Sequence, residues 1–102
     1  MILHCVLMRL KAAMSADDKQ SLFESIVALK QRIPGILDIK HGPNVSPEGL
    51  HAGFVDGFAV TFESPEARDI YLVHPDHVAV GERIISSTDG GLGGLIVFDL
   101  QV

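Results

Sequence analysis

Ile2-Leu3-His4-Cys5-Val6-Leu7-Met8-Arg9-Leu10 is the stretch that decides the fold. It alternates as a strand does, and both alternating sets are mostly apolar: Ile2, His4, Val6, Met8 and Leu10 on one side, Leu3, Cys5, Leu7 and Arg9 on the other. A half-buried strand shows water one of its two sides, so a strand like this one needs cover front and back.

Working outward, Ser15 is placed to cap a helix whose first turn carries Asp17 and Asp18, where the helix dipole favours negative charge. Leu22, Phe23, Ile26, Leu29 and Ile33 follow as one apolar stripe, and Pro34-Gly35 ends the run. Residues 36–40 read as a short second strand. Residues 42–53, with Pro43, Asn44, Pro47 and Gly49, read as a surface loop. Residues 54–63 read as a third strand, with Phe54, Asp56, Phe58, Val60 and Phe62 sharing one side. Ser64-Pro65-Glu66 opens a second helix with Ala67, Ile70 and Tyr71 on its apolar side. His74-Pro75 breaks it, because the residue before proline is pushed out of helical geometry. Pro75 then starts another segment, packed through Val78, Ile84 and Ile85. Residues 86–94 form a glycine-rich lid or connector, and residues 95–100 a last strand that is again apolar on both sides.

The order β-α-β-β-α-β is the ferredoxin-like arrangement: an α+β fold with an antiparallel sheet and helices on one face. The whole chain, residues 1–102, is expected to be one domain. Its helices cover one side of the sheet only. The other side is an apolar patch of the size that marks an interface, so a homodimer through the sheet face is expected, closing into an α+β barrel.

Composition narrows the partners. The net charge is -5 with no basic block, which argues against nucleic acid and anionic membrane as partners. No apolar stretch is long enough to span a bilayer, and the first residues lack the features of a signal peptide. The single cysteine, Cys5, cannot form an internal disulfide, so a cytoplasmic protein is expected, with Cys5 as a small buried hydrophobe.

The candidate chemistry lies in Tyr71-Leu72-Val73-His74-Pro75-Asp76-His77. On a straight helix Tyr71 and His77 would not share a face, but the break at Pro75 lets both point to one cavity. His77 then sits in the first turn of a helix, whose positive dipole end disfavours imidazolium and keeps the ring neutral, as a general base requires. The bland alternative has His74 capping the helix, Tyr71 packed in the core and His77 at the surface. His4, polar among apolar residues, is either a hydrogen-bonded core histidine or a pocket residue. His74, Asp76 and His77 lack a third ligand for a metal site. Gly90-Gly91-Leu92-Gly93-Gly94 precedes a strand and has no Lys-Ser/Thr after it, so it is no phosphate loop. Neither a metal nor an organic cofactor is expected.

These residues carry a resemblance. The opening His4 strand, Ile33-Pro34-Gly35, Gly42-Pro43-Asn44, Val60-Thr61-Phe62-Glu63-Ser64, Tyr71 through His77 and the closing Val97-Phe98-Asp99 together resemble the stress-responsive A/B barrel (Dabb) family along essentially the whole chain. The resemblance implies a dimeric α+β barrel of two ferredoxin-like subunits. A plant polyketide cyclase of the family uses a Tyr and a His for an intramolecular aldol condensation. By resemblance these catalytic residues fall on Tyr71 and His77, its strand-one pocket histidine on His4, and its apolar pocket positions on Val6, Met8, Leu22 and Phe23. A pocket tyrosine of that cyclase is Ile26 here and a strand-three histidine is Asp56, so these two positions set this pocket apart. Its aromatic region before the last strand is glycine-rich here.

Three functions compete. The first is an enzyme of cyclase or isomerase type acting on a small carbonyl or polyketide-like compound, with His77 abstracting a proton and Tyr71 orienting the oxygen. The second is a non-catalytic stress or ligand-binding dimer, and the third a haem- or metal-handling barrel.

Overall fold

The computed structural model describes residues 1–102. Its strands are β1 (Ile2–Met8), β2 (Ile36–Pro43), β3 (Asp56–Phe62) and β4 (Leu95–Gln101), and its helices α1 (Ala16–Val27), α2 (Pro65–Val73) and α3 (Pro75–Ser87). Short 3-10 turns follow α1 (Ala28–Gln31) and precede β4 (Gly91–Gly94). The strands form one sheet in the order β2-β3-β1-β4, with every neighbouring pair antiparallel. This is the ferredoxin-like α+β fold.

Alternation places Ile2, His4, Val6 and Met8 of β1 opposite Phe62, Val60, Phe58 and Asp56 of β3, all on the helix side. Leu22, Phe23, Ile26, Leu29 and Ile33 cover them, with Ala67 and Tyr71 from α2 and Ile84 from α3. In β2, Ile36 and Ile39 both turn inward although they are three positions apart. A bulge between Ile36 and Asp38 absorbs Leu37 and resets the alternation.

Caps fix the helix starts. Ser15 accepts from the Asp18 amide at 3.0 Å, and Ser64 from the Ala67 amide at 3.1 Å. Gly35 joins α1's trailing turn to β2 with φ at 89°, and a Cβ added there would lie 2.6 Å from the Ala67 Cβ. Gly35→Ala is therefore expected to destabilise the fold by about 1–2 kcal/mol, through left-handed backbone strain and the clash with α2. Urea unfolding measures it; an unchanged midpoint would contradict the packing of α2 on this turn.

Several expectations need correction. Phe54 is not part of the inner face: β3 begins at Asp56, and Phe54 instead lies under the Arg9 guanidinium, 4.9 Å from ring centroid to Cζ. Ile70, Val78 and Ile85 are exposed; the inward positions are Ala67 and Tyr71 on α2, and Ile84 with partly buried Val80 on α3, each pair four residues apart. The glycine-rich segment is shorter than expected and is held as a connector at its start. α3 runs on to Ser87, and the buried Thr88 hydroxyl bonds the Ile85 and Gly91 carbonyls at 2.9 and 2.6 Å. β1 stops at Met8, with Leu10 making only an isolated bridge to Thr88.

The far side of the sheet has no helix. Leu7 (42% exposed), Ile96 (42%), Phe98 (60%) and Leu100 (47%) face outward there with Leu3, Cys5, Gly57 and Ala59. No helix in the chain is long and apolar enough to cross a membrane.

Candidate functional site

The break between α2 and α3 positions the site. His74 has extended backbone, and its Nδ1 accepts from the Asp76 amide at 3.1 Å, so this imidazole is spent as the cap of α3. Pro75 at the first helical position starts α3 in a new direction, and His77 comes back over Tyr71 with 4.0 Å between ring centroids. Beneath them His4 sets its ring edge against Tyr71 at 5.8 Å, and Phe62 packs on both rings. The structure thus joins His4, Tyr71 and His77 in one cluster between the centre of the sheet and the helix break.

Each ring has a readable protonation state. The His77 Nδ1 lies 3.2 Å from the Leu72 carbonyl. A carbonyl only accepts, so Nδ1 carries the hydrogen and the Nε2 of the neutral ring holds the free lone pair. Burial lowers the His77 pKa below its ordinary 6.5; the Leu72 bond opposes this, and His4 and His74 add to it. Tyr71 as a residue is 1% exposed, but its hydroxyl makes no hydrogen bond within the protein and its oxygen is not sealed from solvent. Burial pushes its pKa well above the ordinary phenol value, so it stays protonated and can donate.

A carboxylate supports the cluster. His4 Nδ1 lies 2.6 Å from Asp99 Oδ1, and Asp99 Oδ2 accepts from Arg68 Nη1 at 2.9 Å, tying β1, β4 and α2 together. Burial alone would raise the Asp99 pKa, but the hydrogen bonds from His4 and Arg68 outweigh it and hold the carboxyl below its usual range. An anionic Asp99 fixes the hydrogen of His4 on Nδ1 and leaves Nε2 facing away from it. Sequence reasoning missed both Asp99 and Arg68. The available signal was Asp99 itself, the one acid in an apolar strand, with the parity of inward-facing Leu95 and Val97.

The other candidates fall elsewhere. Val6, Met8, Leu22 and Ile26 are buried in the core cluster. Phe23 stacks on His41 at 4.5 Å and lines a groove of about 630 Å³ between α1 and β2. Asp56, at the end of the sheet, pairs with Lys19 at 3.5 Å. None of the three principal cavities is lined by His4, Tyr71 or His77. Beside the cluster the inner side of β4 is only partly covered: Leu95 packs on the core, but Val97, on the same side as Asp99, is 58% exposed. No group of three or more His, Cys, Asp or Glu side chains gathers in metal-ligating geometry.

The His77 assignment is testable without a substrate. The folded ring resists protonation, so its NMR titration is expected to fall below 6.5. The sign for stability follows: the unfolded chain binds the proton more tightly, so stability drops as pH falls from the ordinary histidine value through the lower folded one. A midpoint at or above 6.5 would contradict the partly buried placement of the ring.

The fold and the cluster define a class: a ferredoxin-like α+β subunit with a Tyr–His pair at a helix break and one face of its sheet uncovered. Within that class, the chain belongs to the Stress Responsive A/B Barrel Domain (Dabb) family, whose model matches residues 2–102. It is 30% identical over 79 residues to olivetolic acid cyclase of Cannabis sativa, covering 78% of each chain. It is 33% identical over 86 residues to the stress-response A/B barrel domain-containing protein HS1 of Arabidopsis thaliana, covering 84% of this chain and 79% of that one. Among solved structures, a dimeric ferredoxin-like protein of unknown function from Jannaschia superposes with a TM-score of 0.89 at 30% identity, covering 99% of this chain and 98% of the other.

Proposed function

We propose that the chain works in the cytoplasm as a homodimer, joined through the uncovered sheet face, and that Tyr71 and His77 act as an acid–base pair on a small, largely apolar carbonyl compound. The observation that carries the chemistry is the contact of the two rings, 4.0 Å apart, with the Tyr71 ring buried and its hydroxyl free of any internal bond. His77 Nε2 removes a proton from the carbon next to the carbonyl. The Tyr71 hydroxyl donates to the carbonyl oxygen as it becomes an enolate oxygen. The enolate carbon then either takes a proton back from His77, which is exchange or, at a stereocentre, epimerisation, or attacks a second carbonyl of the same molecule, whose oxygen takes the proton from His77, which is ring closure. Asp99 holds His4 against the far side of Tyr71, and the apolar shelf at Val97 receives the carbon skeleton. Olivetolic acid cyclase, by its name a cyclase, is a relative consistent with this class of step.

The homodimer is supported by the apolar outer face and by the dimeric Jannaschia structure at 30% identity. Burying a few hundred Å² of that face per subunit contributes on the order of 10 kcal/mol before association costs.

The experiment is exchange of the methyl protons of acetophenone in deuterium oxide, followed by proton NMR. The native protein is expected to accelerate exchange over buffer. A rate equal to buffer would remove the catalytic role. A second reading, a ligand-binding dimer without chemistry, is favoured by one observation: the principal cavities lie away from Tyr71 and His77. It predicts a rise in Tm with acetophenone and no exchange.

A further inference from the structure

The outer face of the sheet contains an unexplained glycine. Gly42, Gly57, Leu7 and Ile96 form one row across all four strands on the side away from the helices, and all four line a cavity of about 440 Å³. Leu50, His51 and Phe54 of the segment between β2 and β3 form its wall. Gly57 has a reason within its own chain: a Cβ there would meet the Val6 carbonyl oxygen at 3.1 Å and Leu7 Cδ2 at 3.2 Å. Gly42 has none. Its φ is not among the positive ones, and a Cβ built on it finds no atom within 4 Å. Glycine inside a strand costs about 0.5–1 kcal/mol against alanine. Where nothing in the chain requires it, close approach of another body is one recognised reason for a strand glycine.

That body must be apolar and must reach the same face. Leu7 and Ile96 belong at once to the cavity and to the exposed apolar surface that continues through Phe98 and Leu100. Phe98 is the one aromatic side chain on that surface, and it sits two residues along β4 from the cavity wall at Ile96. We infer that the cavity over Gly42 and Gly57 is the socket for Phe98 of a second copy of this chain. A two-fold axis passing between Phe98 and the cavity makes the contact reciprocal, so each subunit offers one knob and one socket. The socket rests on the homodimer proposed above and specifies its register. Without it, two flat apolar faces could slide over one another. A buried aromatic anchor in a pocket is also the kind of contact that dominates interface energetics.

Two substitutions and their combination test this by sedimentation equilibrium. Gly42→Leu fills the socket from inside, where its own chain leaves room, and Phe98→Ala removes the knob from a position exposed in the subunit. Each is expected to weaken the dimer roughly tenfold or more, and the double variant to be little weaker than either alone, since both abolish one contact. A dimer unchanged by Gly42→Leu overturns the socket, including the case in which a small ligand occupies the cavity. Full additivity of the two overturns Phe98 as its occupant. If Gly42→Leu fails to fold, Phe98→Ala still decides, because an unchanged dimer removes the knob. A native protein that sediments as a monomer at micromolar concentration would instead defeat the homodimer itself, a result distinct from either of the others.

Discussion

His77→Ala is expected to slow α-proton exchange by about a hundredfold or more, with the fold unchanged. The magnitude follows from the usual contribution of a positioned general base, roughly 10²–10⁴-fold. The fold survives because the ring is only partly buried, and its single hydrogen bond runs to a carbonyl within two turns of chain. His77→Gln separates the roles: glutamine keeps bulk and a polar end but cannot carry the proton, so its rate should match that of alanine. Tyr71→Phe is the partner experiment. It leaves the packing against Phe62 and His4 in place and removes only the hydroxyl. A loss of similar size, about a hundredfold, is expected for a donor aimed at a developing oxyanion. Variants that fold and retain the native rate would strip both residues of their role. Far-UV circular dichroism beside the exchange rate gives both answers from one preparation.

Asp99→Ala has the largest expected effect on stability. The side chain is a quarter exposed, but it receives hydrogen bonds from His4, whose side chain is only 5% exposed, and from Arg68. Removing it strands a buried imidazole N–H, and a buried donor without an acceptor costs its desolvation in full. We expect a loss of about 3 kcal/mol and a fall in Tm of roughly 10 °C or more, seen in thermal unfolding. Asp99→Asn should fall between, since the amide oxygen can accept from His4 while its NH₂ turns towards Arg68. The pH dependence has a definite sign. The folded carboxyl is held below its ordinary 3.8, so its contribution is present above that value and is lost as pH falls through the lower folded one. A Tm equal to the native one would mean that His4 finds another partner and that the carboxylate supports nothing.

How much of this was legible in the sequence depended on the range of each interaction. The approach of Tyr71 to His77 was legible as one of two alternatives, because one local rule, the effect of Pro75 on His74, removes the straight helix that would separate them. The uncovered face was legible because alternation along residues 2–10 reports both sides of the sheet at once. The bulge at Leu37 was not, since a three-residue spacing of Ile36 and Ile39 fits no strand until the register with β3 is known. The packing face of α3 was read only in part: Ile84 is buried as expected, but the side that meets the sheet depends on the angle taken after Pro75, and that angle favours Val80 over Val78 and Ile85. Asp99 was invisible as a partner of His4 because 95 residues separate them and only the β1–β4 register brings them level. The socket at Gly42 needed the path of the loop that walls it, and no local signal carries that.

The chemistry stands on a neutral His77 whose Nε2 lone pair is free beside a protonated Tyr71. The most direct test is the pH profile of acetophenone exchange by the native protein, set beside the NMR titration of His77 in the same buffer. The account predicts one limb, with the rate rising as the ring loses its proton and both curves sharing a midpoint below 6.5. A catalysed rate that ignores the titration of His77, or no catalysed rate at any pH, would contradict it.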